Sequence, residues 1–83
     1  MEKSIYTKQL NQVLSLLKEL RLKSGYTQND LAKLLDKPQS FVSKYESGER
    51  RLDIIELRTI CKALRITFSD FINRLEGILD DTK

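Results

Sequence analysis

At 83 residues, 40% of them hydrophobic, the chain is too apolar for a disordered segment and long enough for one small core. No apolar run approaches the roughly 20 residues of a membrane span. With no histidine and one cysteine, His-based triads, His-ligated metals, the usual zinc sites and internal disulfides are all excluded. The formal charge of +3 is unevenly spread. Residues 1–66 hold 13 Lys/Arg against 8 Asp/Glu, and residues 67–83 hold 2 against 4, so the body is basic and the end mildly acidic.

In chain order, Met1–Tyr6 lacks the long apolar stretch of a signal peptide, so a cytoplasmic protein is the expectation. A first helix is predicted over Thr7–Lys23, with Leu10, Val13, Leu14, Leu17 and Leu20 as its apolar stripe and Gly25 beyond its end. Thr27 then reads as an N-cap, with Asp30 three residues on to complete a capping box. The second helix is short, ending near Leu35, and its buried face is read as Leu31, Leu34 and Leu35 beside the small Ala32.

Asp36-Lys37-Pro38 makes a tight connection, and Pro38 suits the opening of a third helix over Gln39–Ser47, stopped by Gly48. That helix has few apolar positions: Val42 and Tyr45, with Phe41 at the margin. Gln39, Ser40, Ser43 and Lys44 fall on the other side. Glu49-Arg50-Arg51-Leu52 is a basic loop. Asp53 and Glu56 form the next cap, opening a fourth helix with Ile54, Leu57, Ile60, Cys61 and Leu64 as its core stripe. Cys61 in this pattern reads as a buried structural thiol. Thr67 and Asp70 cap a fifth helix carrying Phe68, Phe71, Ile72 and Leu75, ended by Gly77 and followed by a tail that frays after Leu79. No strand is predicted. The reading is all-α, a compact five-helix bundle forming a single domain over residues 1–83.

The functional signal lies in the second and third helices. Two short helices joined by a turn of three to four residues make the minimal helix-turn-helix. Its second helix needs an apolar face to hold it on the domain and a polar face whose side chains meet base edges in the major groove. Gln39-Ser40-Phe41-Val42-Ser43-Lys44-Tyr45-Glu46 supplies both. Gly25-Tyr26-Thr27-Gln28-Asn29-Asp30-Leu31-Ala32, followed by Pro38-Gln39-Ser40-Phe41-Val42-Ser43-Lys44-Tyr45-Glu46-Ser47-Gly48-Glu49-Arg50, resembles the Cro/repressor-type, or XRE-like, helix-turn-helix family. The likeness spans 17–75, with the helix-turn-helix motif at 28–47 and residues 76–83 left as a C-terminal tail.

The resemblance implies a lambda-repressor-like bundle and a transcriptional regulator, a repressor by expectation, that reads double-stranded operator DNA without a cofactor. It implies that Gln28 binds a phosphate, that Gln39, Ser40, Ser43 and Lys44 face the groove with Gln39, Ser43 and Lys44 as the base contacts, that Phe41 belongs to the same DNA-binding set, and that Arg50 and Arg51 lie near the flanking backbone. It also implies a buried ion pair between Arg21 and Glu46. The family often has glycine where this chain has Asp36 and Arg65, so strained or altered turns are expected there. On an isolated helix Gln39 and Ser40 would merely be solvated, and for Lys44 a phosphate, a base and plain solvent all stay open. Phe68, Phe71, Ile72, Leu75, Ile78 and Leu79 exceed what one short helix must bury; they read either as core plus a sticky tail or, the favoured reading, as a homodimer seam on the C-terminal helix with a palindromic operator. The alternative is a protein-interaction module, such as the antitoxin half of a toxin–antitoxin pair, with the acidic, apolar end as partner site. No nucleophile stands beside a base, so an enzyme is not expected.

Overall fold

A computed structural model describes residues 5–80, with side chains from Thr7 onward, and contains five helices. They are α1 (Ile5–Lys23), α2 (Gln28–Leu34), α3 (Gln39–Ser47), α4 (Ile54–Ala63) and α5 (Phe68–Asp80). Readings that fall on residues 1–4 and 81–83 lie outside the described residues. The bundle measures 35 × 29 × 22 Å. Among the described residues no helix is long and apolar enough to cross a membrane.

Side-chain caps open three of the helices. Thr27 accepts from the Asp30 amide while Asp30 accepts from the Thr27 amide, and Asp53 and Glu56 do the same for α4. Thr67 Oγ1 accepts from the Asp70 amide at the start of α5. Each such cap stabilises its helix by about 1 kcal/mol. The cap bonds from Thr27 also hold the Asp30 carboxyl below its ordinary range.

Four helix ends share one backbone device, in which a left-handed residue lets the next amide reach back five residues. Gly25 (φ 78°) and Gly48 (φ 87°) supply it after α1 and α3. Asp36 (φ 57°) and Arg65 (φ 62°) supply it after α2 and α4, closed by Lys37 N–H to Ala32 O at 2.9 Å and Ile66 N–H to Cys61 O at 3.0 Å. The turns therefore keep the left-handed geometry despite their side chains. Asp bears this readily, and Arg65 does so at a cost of roughly 1–2 kcal/mol.

The core is built from Leu14, Leu16, Leu17 and Leu20 of α1, Leu31 and Ala32 of α2, Phe41, Val42 and Tyr45 of α3, Ile60 and Cys61 with Leu64 at the end of α4, and Phe71 and Leu75 of α5. Burial pushes the Cys61 thiol up to about 11, so it stays protonated and inert. Tyr45 is fully buried, its ring edge-on to Phe41 with centroids 5.6 Å apart. Among the described residues its hydroxyl has no hydrogen-bond partner, and burial drives the phenol's pKa well above its ordinary value. An unpartnered buried hydroxyl costs about 1–3 kcal/mol. Tyr45→Phe should therefore raise the melting temperature, and a clear loss of stability on thermal unfolding would show that the hydroxyl is bonded in solution.

Leu34, Ile54 and Gly77 depart from the sequence reading. Leu34 is 56% exposed, because at 100° per residue it sits about a quarter-turn off the face shared by Leu31, Ala32 and Leu35. Ile54 is 66% exposed although it shares the azimuth of Cys61, because the first turn of α4 overhangs a core that ends near Leu57. Gly77 does not end α5. The helix runs on to Asp80 because Ile78 and Leu79 pack against the core, which outweighs the roughly 0.5–1 kcal/mol a mid-helix glycine costs.

Candidate nucleic-acid interface

The turn between α2 and α3 is Leu35 to Pro38, and the two helices pack directly on each other. Pro38 enters α3 in extended conformation, with its carbonyl accepting from the Phe41 amide at 2.9 Å. Phe41, Val42 and Tyr45 bury one side of α3. The opposite edge carries Gln39, Ser40 and Lys44, all exposed, and the half-buried Ser43. An amphipathic helix of nine residues is thus pinned by its aromatic side and leaves an edge rich in donors and acceptors free.

That edge is oriented by a polar chain running through three helices. Arg21 on α1 donates through Nε to Glu46 Oε2 at 2.8 Å, through Nη2 to Glu46 Oε1 at 3.2 Å, and through Nη1 to the Tyr26 carbonyl at 2.8 Å. The two side chains are 7% and 5% exposed, so the ion pair is buried. Gln28 Nε2 donates to Glu46 Oε1 at 3.0 Å, and Gln39 Nε2 donates to Gln28 Oε1 at 2.7 Å.

The direction of this chain follows from chemistry. A carboxylate only accepts, so Glu46 fixes which end of the Gln28 amide faces it. The Gln28 oxygen is then turned toward Gln39, whose NH₂ must answer it. Gln39 keeps its own Oε1 and one N–H for an outside partner, and an amide presenting both is the group that pairs with the N6/N7 edge of adenine.

The remaining sequence-predicted residues divide. Lys44 is exposed on this edge, and Arg51 is exposed in the loop that follows α3. Phe41, expected at the margin of the apolar side and among the DNA-binding residues, is instead a buried core residue. Its ring lies in the core against Tyr45, with the Lys37 ammonium 5.6 Å and the Arg50 guanidinium 4.7 Å from its centroid. Arg50 is not simply a loop cation near the backbone either. It donates to both carboxylate oxygens of Glu56, at 3.0 and 2.8 Å, and to the Arg51 carbonyl at 2.9 Å. The pair holds the Glu56 carboxyl below its usual range, chiefly through the Arg50 hydrogen bonds.

Glu56 is the residue that sequence reasoning used only as a cap. It does cap α4, accepting from the Asp53 amide at 3.0 Å. Its second role falls on a six-residue spacing across a helix start, which no periodic pattern marks.

Comparison with known proteins agrees with this geometry. The profile of the helix-turn-helix family matches residues 17–71. An XRE-family like protein from Pseudomonas syringae pv. tomato str. DC3000 superposes with a TM-score of 0.84 at 40% identity, over 89% of this chain and 90% of that one. The wild-type restriction-modification controller protein C.Esp1396I gives 0.77 at 32% identity, over 83% of this chain and 88% of that one. A point mutant of that controller, bound to its highest affinity operator site, gives 0.79 at 31% identity over 93% and 97%. No curated protein sequence matches the chain.

Proposed function

The chain belongs to the helix-turn-helix family, among its XRE-like DNA-binding transcription regulators, and on that premise we propose that it is a cytoplasmic repressor that reads a palindromic operator as a homodimer. The observation that carries this reading is the two-sidedness of α3. Phe41, Val42 and Tyr45 anchor the helix, while Gln39, Ser40, Ser43 and Lys44 line its outer edge. In this reading α3 lies in the major groove, with Gln39 and Ser43 reading bases. Gln28 sits at the start of α2, where first-turn amides and the helix dipole favour a phosphate, and Arg51 meets the flanking backbone. The operator complex of the related controller supports double-stranded DNA as the partner.

Of the expected seam, Phe71 and Leu75 lie in the core and Ile78 and Leu79 pack against it, so what supports dimerisation is the remainder of the outer face of α5. Ile72 is exposed, and Phe68 one turn before it is only partly buried. One nine-residue helix reads few base pairs, and a twofold axis doubles the site. The test is a titration of labelled duplex DNA followed by anisotropy at increasing salt, with the complex sized by sedimentation. Binding should weaken by a log–log slope of about −0.9 for each phosphate neutralised, and two chains should bind each operator. Absence of binding at low salt would overturn the regulator reading, and a strictly monomeric complex would overturn the dimer.

A further inference from the structure

Arg50 lies in the loop after α3, which ends at Ser47, and its charge is paired within the protein. The guanidinium presents a planar fork, and a carboxylate and a phosphate match that fork in the same bidentate way. Here the carboxylate of Glu56 occupies it, at 3.0 and 2.8 Å, while the guanidinium carbon lies over the Phe41 ring, 4.7 Å from its centroid. Glu56 is itself held in register by the Asp53 amide, so the acceptor is fixed before DNA arrives. Resting on the regulator reading above, we propose that Glu56 sets the strength of backbone binding: it masks Arg50 from the DNA phosphates and so lowers affinity for DNA of any sequence.

Phosphate contacts supply nearly all sequence-independent affinity, whereas base contacts supply discrimination. A cation withdrawn from the phosphates therefore weakens binding to random DNA and leaves the base contacts of Gln39 and Ser43 intact. The Arg50 side chain remains 40% exposed, so it is masked by pairing and not by burial. The other charged groups around it are Lys37 on the same ring, Arg51 and Glu49 as chain neighbours, and Asp53 at the cap of α4.

The experiment compares Glu56→Gln with wild type on a random-sequence duplex across a salt series. Glutamine keeps an oxygen for the Asp53 amide, so the cap survives in kind, and a thermal melt checks that it does. Glu49→Gln, at the exposed neighbour of Arg50, makes the same change in net charge without touching the pair.

Glu56→Gln should bind random DNA more tightly than Glu49→Gln does. Its log–log salt slope should be steeper than that of Glu49→Gln by about 0.9, so that the gain shrinks about 3.5-fold between roughly 50 and 200 mM salt. The excess should vanish when Arg50→Gln is added. Equal slopes for Glu56→Gln and Glu49→Gln would overturn the masking role while leaving the regulator reading in place. Folded protein that binds no DNA at any salt would overturn both.

Discussion

Arg21→Ala will lower folding stability by about 3–5 kcal/mol, because it leaves a buried carboxylate without its counter-charge. The wild-type side chain makes three hydrogen bonds, two to Glu46 and one to the Tyr26 carbonyl. Its removal strands Glu46, whose side chain is 5% exposed and would retain only the Gln28 amide. In a domain of this size each kcal/mol lowers the melting temperature by about 4–8 °C, so the variant should be largely unfolded under conditions where wild type is folded. Lysine should not rescue it, since a single ammonium cannot reproduce a planar fork serving a carboxylate and a carbonyl at once. Replacing both partners with apolar residues, Arg21→Met with Glu46→Leu, should recover much of the stability. That double variant separates folding from function, because it holds the bundle together but leaves Gln28 and Gln39 without the carboxylate that orients them. An Arg21→Ala melt within about 1 °C of wild type would show that the pair is open to water.

Gln39→Ala carries the second large effect, on recognition instead of stability. The side chain is exposed, so its loss should change folding by no more than about 0.5 kcal/mol. Discrimination at one base-pair position should fall by about 1–3 kcal/mol, roughly 5- to 150-fold in relative affinity. The loss acts through two routes, since Gln39 both offers its own amide to a base and holds the Gln28 oxygen at 2.7 Å. Gln28→Ala removes both a phosphate contact and the partner that orients Gln39, so it should weaken binding to all sequences and in addition blunt part of the preference that Gln39 carries. Competition binding against operators altered one position at a time reads both outcomes. Unchanged preference at every position in Gln39→Ala would mean that α3 is not the reading helix.

Most of the fold was legible because its punctuation is local. Thr27, Asp53 and Thr67 announce three helix starts through bonds within one turn, and Gly25 and Gly48 announce two ends through the conformation they favour. Where the outcome depended on packing, the same rules failed. Gly77 has the composition of a helix stop, but Ile78 and Leu79 find core to pack on, and the helix continues. Ile54 has the right azimuth and nothing to bury against. The resemblance to a known family implied the buried Arg21–Glu46 pair across 25 residues, which no local pattern could have supplied.

The candidate site was legible as a set of residues and not as a wiring diagram. The outward edge of α3 follows from helical spacing alone. The hydrogen bonds from Glu46 through Gln28 to Gln39 join three helices, and only the assembled bundle brings them together. Phe41 and Arg50 were misplaced for a related reason. A phenylalanine beside polar residues and an arginine in a loop both look available, until the ring is seen inside the core and the guanidinium on Glu56.

The account turns on whether the outer edge of α3 reads DNA sequence, and selection of bound duplexes from a random pool tests that directly. Wild-type protein should enrich a twofold-symmetric consensus whose half-sites are centred about one helical turn, or 34–36 Å, apart, and Gln39→Ala should relax one symmetric pair of positions within it. A pool that stays random after repeated rounds, or a consensus identical for both proteins, would contradict it.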